Sequence, residues 1–189
     1  LIYTGIIGAV LAGVYAISAP YRMARITAYL SGDDPAAHQV SYQLRQALIA
    51  IGNGGWMGVG VGQSRQSHMF LPESYGDFIF SIIGEEFGFI GLFIVILLFG
   101  FIFYRGMQIA RKAPNAFGYF LSVGIVVTFS IYVFVNAGVN TGLLPTTGLP
   151  LPFISFGGTA IIIYSMAIGV LLNISKQAGV YQHDKSFWG

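Results

Sequence analysis

The sequence predicts an all-α fold, a polytopic membrane helix bundle with four transmembrane helices and a large external loop. Three observations carry this expectation. Hydrophobic residues make up 55% of the 189 residues and charged ones only 8%, where ordinary soluble domains carry about 25% charged residues. Four apolar stretches approach the roughly 20 residues that a helix needs to cross a bilayer. Between Lys112 and Lys176 stand 63 consecutive residues without Asp, Glu, Lys or Arg, enough for two spans and the loop that joins them. The net charge of +2, with no basic run, gives no footing for nucleic acid. With no cysteine, disulfide and thiolate chemistry are excluded.

The first expected span covers residues 1–19 and stops at Pro20, which cannot continue a helix. It starts without an initiator Met or a basic n-region, so the chain is expected to be the C-terminal part of a longer protein, with no signal peptide. Residues 20–77 are expected to form the external loop. Inside it, Asp34 as N-cap and Pro35 at the first helical position open an amphipathic helix of about 35–51. Val40, Leu44, Leu48 and Ile51 recur at helical spacing, and Gly52 fits a C-cap. A glycine-rich strip, Asn53 to Ser64, follows. The second span is expected over 78–104, the third over 116–140 and the fourth over 154–175. They are joined by a short link, 105–115, and by the loop 141–153, which Pro145, Pro150 and Pro152 keep from being helical throughout. Irregular backbone near a membrane persists only where protein buries it or it lines a cavity.

Basic residues set the orientation. Arg105, Arg111 and Lys112 lie in the short link, and Lys176 and Lys185 in the tail 176–189, so both are expected to be cytoplasmic. Residues 20–77 and 141–153 then face outward, and Arg22, Arg25, Arg45 and Arg65 go with them. Long translocated loops are exempt from the charge rule.

The stretch Leu71 to Gly88 is the most informative. It brings Glu73, Asp77, Glu85 and Glu86 up to a span with no charge from Phe87 to Tyr104. Charges at the edge of hydrocarbon are costly and seldom kept without a use. Asp77 suits two roles, N-cap of the second span or general base. Ser81 and Glu85 would share its helix face, about 6 and 12 Å further along. Glu73 suits assistance to Asp77, a metal ion, or a cap on the turn after Pro72. Glu85 and Glu86 fit membrane-edge carboxylates that anchor an arginine. The arginines suit ion pairing and bidentate phosphate recognition alike. The Gly58-x-Gly60-x-Gly62 run follows no strand and faces away from ATP, so it reads as tight backbone packing, not as a nucleotide loop. His38, His68 and His183 have no metal-ligand spacing.

Two longer patterns resemble the SEDS family of shape, elongation, division and sporulation proteins, the FtsW/RodA/SpoVE-like membrane glycosyltransferases. One is Leu71-Pro72-Glu73, then Asp77-Phe78-Ile79-Phe80, then Glu85-Glu86-Phe87-Gly88. The other is Asn136 and Gly138, then Thr141-Gly142-Leu143-Leu144-Pro145 through Leu151-Pro152-Phe153-Ile154-Ser155-Phe156-Gly157-Gly158-Thr159. Tyr21-Arg22, Arg25, Tyr42-Gln43, Gln46 and the glycine run ending at Ser64 add to it, so the resemblance covers about residues 3–175. The run Gly58 to Gln66 is closer to the division-type branch. Ser67 and Tyr75-Gly76 depart from residues common in the family.

The resemblance implies a peptidoglycan glycosyltransferase that polymerises lipid II on the outer face of the bacterial cytoplasmic membrane. It makes Asp77 the catalytic base, which takes the proton of the acceptor 4-hydroxyl as undecaprenyl pyrophosphate leaves with inversion. Substrate contacts fall on Arg22, Arg25, Gln43, Gln46, Ser64, Glu73 and Ser155. A divalent cation, Mg or Mn, held by Glu73 and Asp77 is compatible with it, and no nucleotide is required. The implied partners are a class B penicillin-binding protein transpeptidase and other divisome or elongasome membrane proteins. Two rival readings are a lipid II flippase, whose site would sit near the bilayer midplane, and a non-catalytic scaffold, whose outer charges would tolerate substitution.

Overall fold

A computed structural model describes residues 38–64 and 76–187, with the side chains of 42–64 and 76–179. The expected first span, the Asp34–Pro35 helix start, Arg22, Arg25, Arg65 and Glu73 lie outside the described residues. The chain is helical without a strand among the described residues: α1 His38–Gly54, α2 Ile79–Arg111, α3 Ala116–Asn140 and α4 Gly158–Phe187. α2, α3 and the Gly158–Gly179 part of α4 are long and apolar enough to cross a membrane. α2 packs chiefly against α3 and α1, and α4 leans on α2 and α3. Much of α2 presents large apolar side chains outward, among them Phe89, Phe93, Ile94, Leu97 and Phe101. Such a surface belongs in lipid or against further spans. The chain is that of an integral membrane protein.

Helix ends follow local chemistry. Asn115 is extended at the start of α3, and its side chain accepts the Gly118 amide at 2.7 Å. α3 closes with Gly142 at φ 75, the Gly142 amide on the Val139 carbonyl at 3.0 Å and the Leu143 amide on Gly138 at 2.8 Å. This is the double bond pattern of a Schellman motif, which uses a left-handed glycine to satisfy the last carbonyls. α2 runs past the expected end at Tyr104 to Arg111, because leaving hydrocarbon does not stop a helix. Pro114 lies just beyond its end. α4 begins at Gly158 rather than 154 and continues through most of the expected tail.

α2 is broken at Gly88, where φ is 67 and ψ −164. The amides of Phe89 and Ile90 donate to the carbonyls of Gly55 and Trp56, at 2.8 and 3.3 Å. The carbonyls four residues earlier, Glu85 and Glu86, accept from Val59 and Gly60 at 2.9 and 3.1 Å. The glycine strip thus enters the helix ladder and supplies the partners for both halves of two missing hydrogen bonds, where an unpaired backbone group would be costly. Only glycine permits the approach. A Cβ on Gly54 would stand 1.9 Å from the Gly84 carbonyl oxygen, and one on Gly58 2.0 Å from that of Glu86.

Among the described residues the buried apolar side chains gather in separate clusters. Phe78 joins Ala47 and Val139 in one cluster, and Phe80 joins Leu92, Val133 and Leu151 in another. The two phenylalanines after Asp77 therefore seat the start of α2 on α1, α3 and the loop beyond α3.

Candidate functional site

Asp77 sits one residue before the N-cap of α2, which falls on Phe78 and makes no side-chain cap bond. The amide of Ser81, in the first turn of α2, is accepted by Asn140 Oδ1 of α3 at 3.1 Å. The Ser81 hydroxyl donates to the Phe78 carbonyl at 2.7 Å. A side chain from a neighbouring helix does part of the work that a local cap would do.

Asn140 has a second task. Its Nδ2 donates to the Asp77 carbonyl at 3.0 Å and to the Asn136 carbonyl at 2.9 Å. Asn136 Nδ2 also donates to the Asp77 carbonyl, at 2.9 Å, and to the Leu149 carbonyl at 2.8 Å. These residues are four apart on α3, so they share a face, and the second contact of Asn136 ties the loop 141–157 to the same point.

That loop carries the last member. Phe153 adopts φ 63, a left-handed conformation that a bulky residue rarely takes. Its ring stacks on Phe129 with centroids 5.7 Å apart and leans on Tyr164. The reversal brings the Ser155 amide back to the Leu151 carbonyl at 3.0 Å. The Ser155 hydroxyl accepts from the Leu151 amide and donates to the Gly76 carbonyl, each at 2.7 Å. Asp77, Asn136, Asn140 and Ser155 thus meet where α2 begins, α3 ends and the proline-rich loop folds over. Asp77 is partly exposed there and the other three are buried.

A second polar group lies further along α2. Glu85 is buried and accepts from the Ser64 hydroxyl. Glu86 Oε1 accepts the Gly62 amide at 3.0 Å. Both carboxylates therefore fasten the glycine strip to the broken helix. Ser81 and Glu85, expected to share a face with Asp77, are both buried, so that face turns into the protein.

The other expected site residues distribute as follows. Gln43 and Gln46 stand partly buried on α1, with Arg45 exposed between them. Ser64 and Ser155, expected as substrate contacts, are enclosed, and their hydroxyls are engaged with Glu85 and with Gly76. Arg22, Arg25 and Glu73 lie outside the described residues, so of the two carboxylates expected to hold a divalent cation only Asp77 is in view. Among the described residues there is no group of three or more His, Asp or Glu side chains fit to hold a metal ion. Asn140 is the neighbour of Asp77 that sequence reasoning passed over. Its signal was an amide pair at i and i+4 on an otherwise apolar helix.

Comparison with known proteins agrees with these motifs. The family model for FtsW, RodA and SpoVE, described as cell cycle protein, matches residues 1–179. Stage V sporulation protein E of Bacillus subtilis is 47% identical over 178 residues, 93% of this chain and 48% of that protein. The probable peptidoglycan glycosyltransferase FtsW of Thioalkalivibrio sulfidiphilus is 45% identical over 177 residues, 92% of this chain and 44% of the relative. That of Francisella salina is 48% identical over 177 residues, 91% of this chain and 44% of the relative. The chain spans just under half the length of these curated relatives. A solved structure described as "Structural coordination of polymerization and crosslinking by a peptidoglycan synthase complex" superposes with a TM-score of 0.67 at 23% identity. It covers 93% of this chain and 48% of that one, and the likeness shows a shared fold.

Proposed function

The chain belongs to the FtsW/RodA/SpoVE family of cell cycle proteins, and on that basis we propose that the protein is a peptidoglycan glycosyltransferase that polymerises lipid II. The observation that carries this is Asp77, partly exposed at the head of α2 with its main-chain carbonyl held by two side chains of α3. Its carboxylate takes the proton from the acceptor 4-hydroxyl. The freed oxygen forms the new bond to the donor's anomeric carbon, and the carbon–oxygen bond to pyrophosphate breaks with its electron pair on the leaving group. Attack from the opposite face gives inversion from α to β. A divalent cation, when bound, supplies neutralisation of the pyrophosphate charge. The membrane is the bacterial cytoplasmic membrane, with Asp77 on its outer side, and a class B penicillin-binding protein crosslinks the product. The run Gly58 to Gln66 favours the division-type branch. Polymerisation of labelled lipid II by the purified full-length protein, with and without that partner, tests the activity.

The sidedness is tested by thiol labelling, since the chain has no cysteine of its own. A cysteine at Ser31 is expected to react with an impermeant reagent in intact spheroplasts. One at Ala116, exposed at the start of α3, is expected to react only after the membrane is opened. Asn115 is avoided because its side chain caps α3. The reverse pattern would put Asp77 on the wrong side for lipid II polymerisation outside the cell.

The arginines separate by position. Arg22 and Arg25 follow the expected first span directly in sequence, which would put them at the height of a lipid headgroup, and are the proposed pyrophosphate contacts. Arg45 is exposed on α1. A lost charge-assisted contact costs about 1.5–3 kcal/mol, roughly ten- to a hundred-fold in binding, whereas an exposed ion pair is worth about 0–1 kcal/mol. Arg22→Ala or Arg25→Ala is therefore expected to weaken lipid II use strongly at low substrate, with Arg45→Ala near the parent. Equal small effects at all three, read from initial rates across lipid II concentrations, would locate pyrophosphate binding elsewhere.

A further inference from the structure

Both peptide planes that meet at the Cα of Asp77 are held by other parts of the fold. On the N-terminal side, the Gly76 carbonyl accepts the Ser155 hydroxyl at 2.7 Å. On the C-terminal side, the Asp77 carbonyl accepts the Asn136 and Asn140 amides at 2.9 and 3.0 Å. A residue has only two soft backbone torsions. Fixing both flanking planes fixes those torsions and with them the direction of the Cα–Cβ bond.

The three donors are themselves locked. Asn136 also holds the Leu149 carbonyl, Asn140 also holds the Ser81 amide and the Asn136 carbonyl, and Ser155 also takes the Leu151 amide. They are 2%, 0% and 3% exposed, so substrate has little access to them, and any effect they have on chemistry passes through Asp77. Two come from α3 and one from the proline-rich loop, two segments distant in sequence that converge on one residue. Helix pairing alone would be served by apolar packing, as it is at Phe78 and Phe80.

We propose that Asn136, Asn140 and Ser155 are positioning residues that aim the Asp77 carboxylate at the acceptor hydroxyl. The inference rests on the reading of Asp77 as general base. It assigns the Ser-containing loop motif a role in orienting the base instead of contacting substrate.

The test uses the full-length protein with labelled lipid II. Ser155→Ala removes the donor to Gly76 with little change in volume. Asn140→Asp keeps the acceptor for the Ser81 amide and removes the donors, and Asn136→Leu removes both donor contacts of that side chain together with the Oδ1 that accepts from Asn140 Nδ2. Misplacement of a reacting group by about 1 Å costs on the order of a hundred-fold. Each variant is expected to lose about ten- to a hundred-fold in kcat, with KM for lipid II within about twofold and thermal midpoint in detergent close to the parent for Ser155→Ala. A rate loss that tracks the loss of folded protein, or that appears in KM, would mean a structural role and overturn the proposal. Asp77→Asn in the same assay separates the two layers. If it is inactive while all three variants keep the parental kcat, positioning fails and the base survives. If it is active, both fail.

Discussion

Asp77→Asn is expected to leave the full-length protein inserted and abundant while glycan-strand synthesis falls below detection. The replacement is nearly isosteric, so the packing of Phe78 and Phe80 on either side of the head of α2 should persist. The main-chain carbonyl that Asn136 and Asn140 hold is unchanged by it. The first turn of α2 keeps its amide partner, because Asn140 supplies the acceptor for Ser81. What is lost is the basic oxygen pair. A positioned general base contributes about a hundred- to ten-thousand-fold, and an amide cannot take up the proton of a sugar hydroxyl. Purified variant and parent, compared for polymer formed and for thermal midpoint, give the answer. Near-normal polymer would leave Asp77 as a residue of the turn alone.

Gly58→Ala is expected to be the most damaging single change outside that residue. The added Cβ would lie 2.0 Å from the Glu86 carbonyl oxygen and 2.6 Å from the Phe87 amide nitrogen. Both are backbone atoms, so no flexible side chain can swing away. Gly58 also has φ 79. Overpacking costs about 1–3 kcal/mol and a left-handed conformation a further 1–2 kcal/mol or so. The strip cannot then stay threaded at the Gly88 break, and the Val59 and Gly60 bonds to Glu85 and Glu86 go with it. A large drop in folded yield and thermal midpoint is expected. Gly124→Ala is the control, since nothing lies within 4 Å of its Cβ position inside α3. It is expected to melt with the parent or slightly above. A Gly58→Ala protein as stable as that control would mean that the strip does not hold α2 together.

The helical membrane class was legible from composition and from the long uncharged run. The limits of individual helices were less so, because two signals coincide poorly. Charge marks where hydrocarbon ends, whereas helices end at caps and prolines, and α2 runs on from Tyr104 to Arg111 for that reason. Ser155 and Phe156 have the apolar neighbours of a span, yet the left-handed Phe153 uses them in a turn, and α4 waits for Gly158. Gly52 looked like a C-cap, but α1 continues to Gly54, the glycine that must pass against Gly84. The glycine strip could be read as close packing. That it repairs a break in another helix could not, because its partner lies some thirty residues away and has no local signal.

Asp77 stood out because a charge beside a hydrocarbon span is conspicuous. Asn136 was legible only as a motif residue and Asn140 not at all, because an uncharged amide on an apolar helix perturbs neither the hydropathy nor the period. Their meaning lies in a pairing across fifty-nine and sixty-three residues. Ser64 and Ser155 were legible as motif residues and not as buried ones, since a motif reports that a residue matters and leaves its direction open.

The most direct measurement is made on the purified full-length protein in vesicles, given labelled lipid II with and without a class B penicillin-binding protein. The expected result is a ladder of glycan strands, cleaved by a muramidase, formed by the parent and absent with Asp77→Asn. Lipid II that crosses the vesicle membrane while no strand forms would contradict the glycosyltransferase account and put transport in its place.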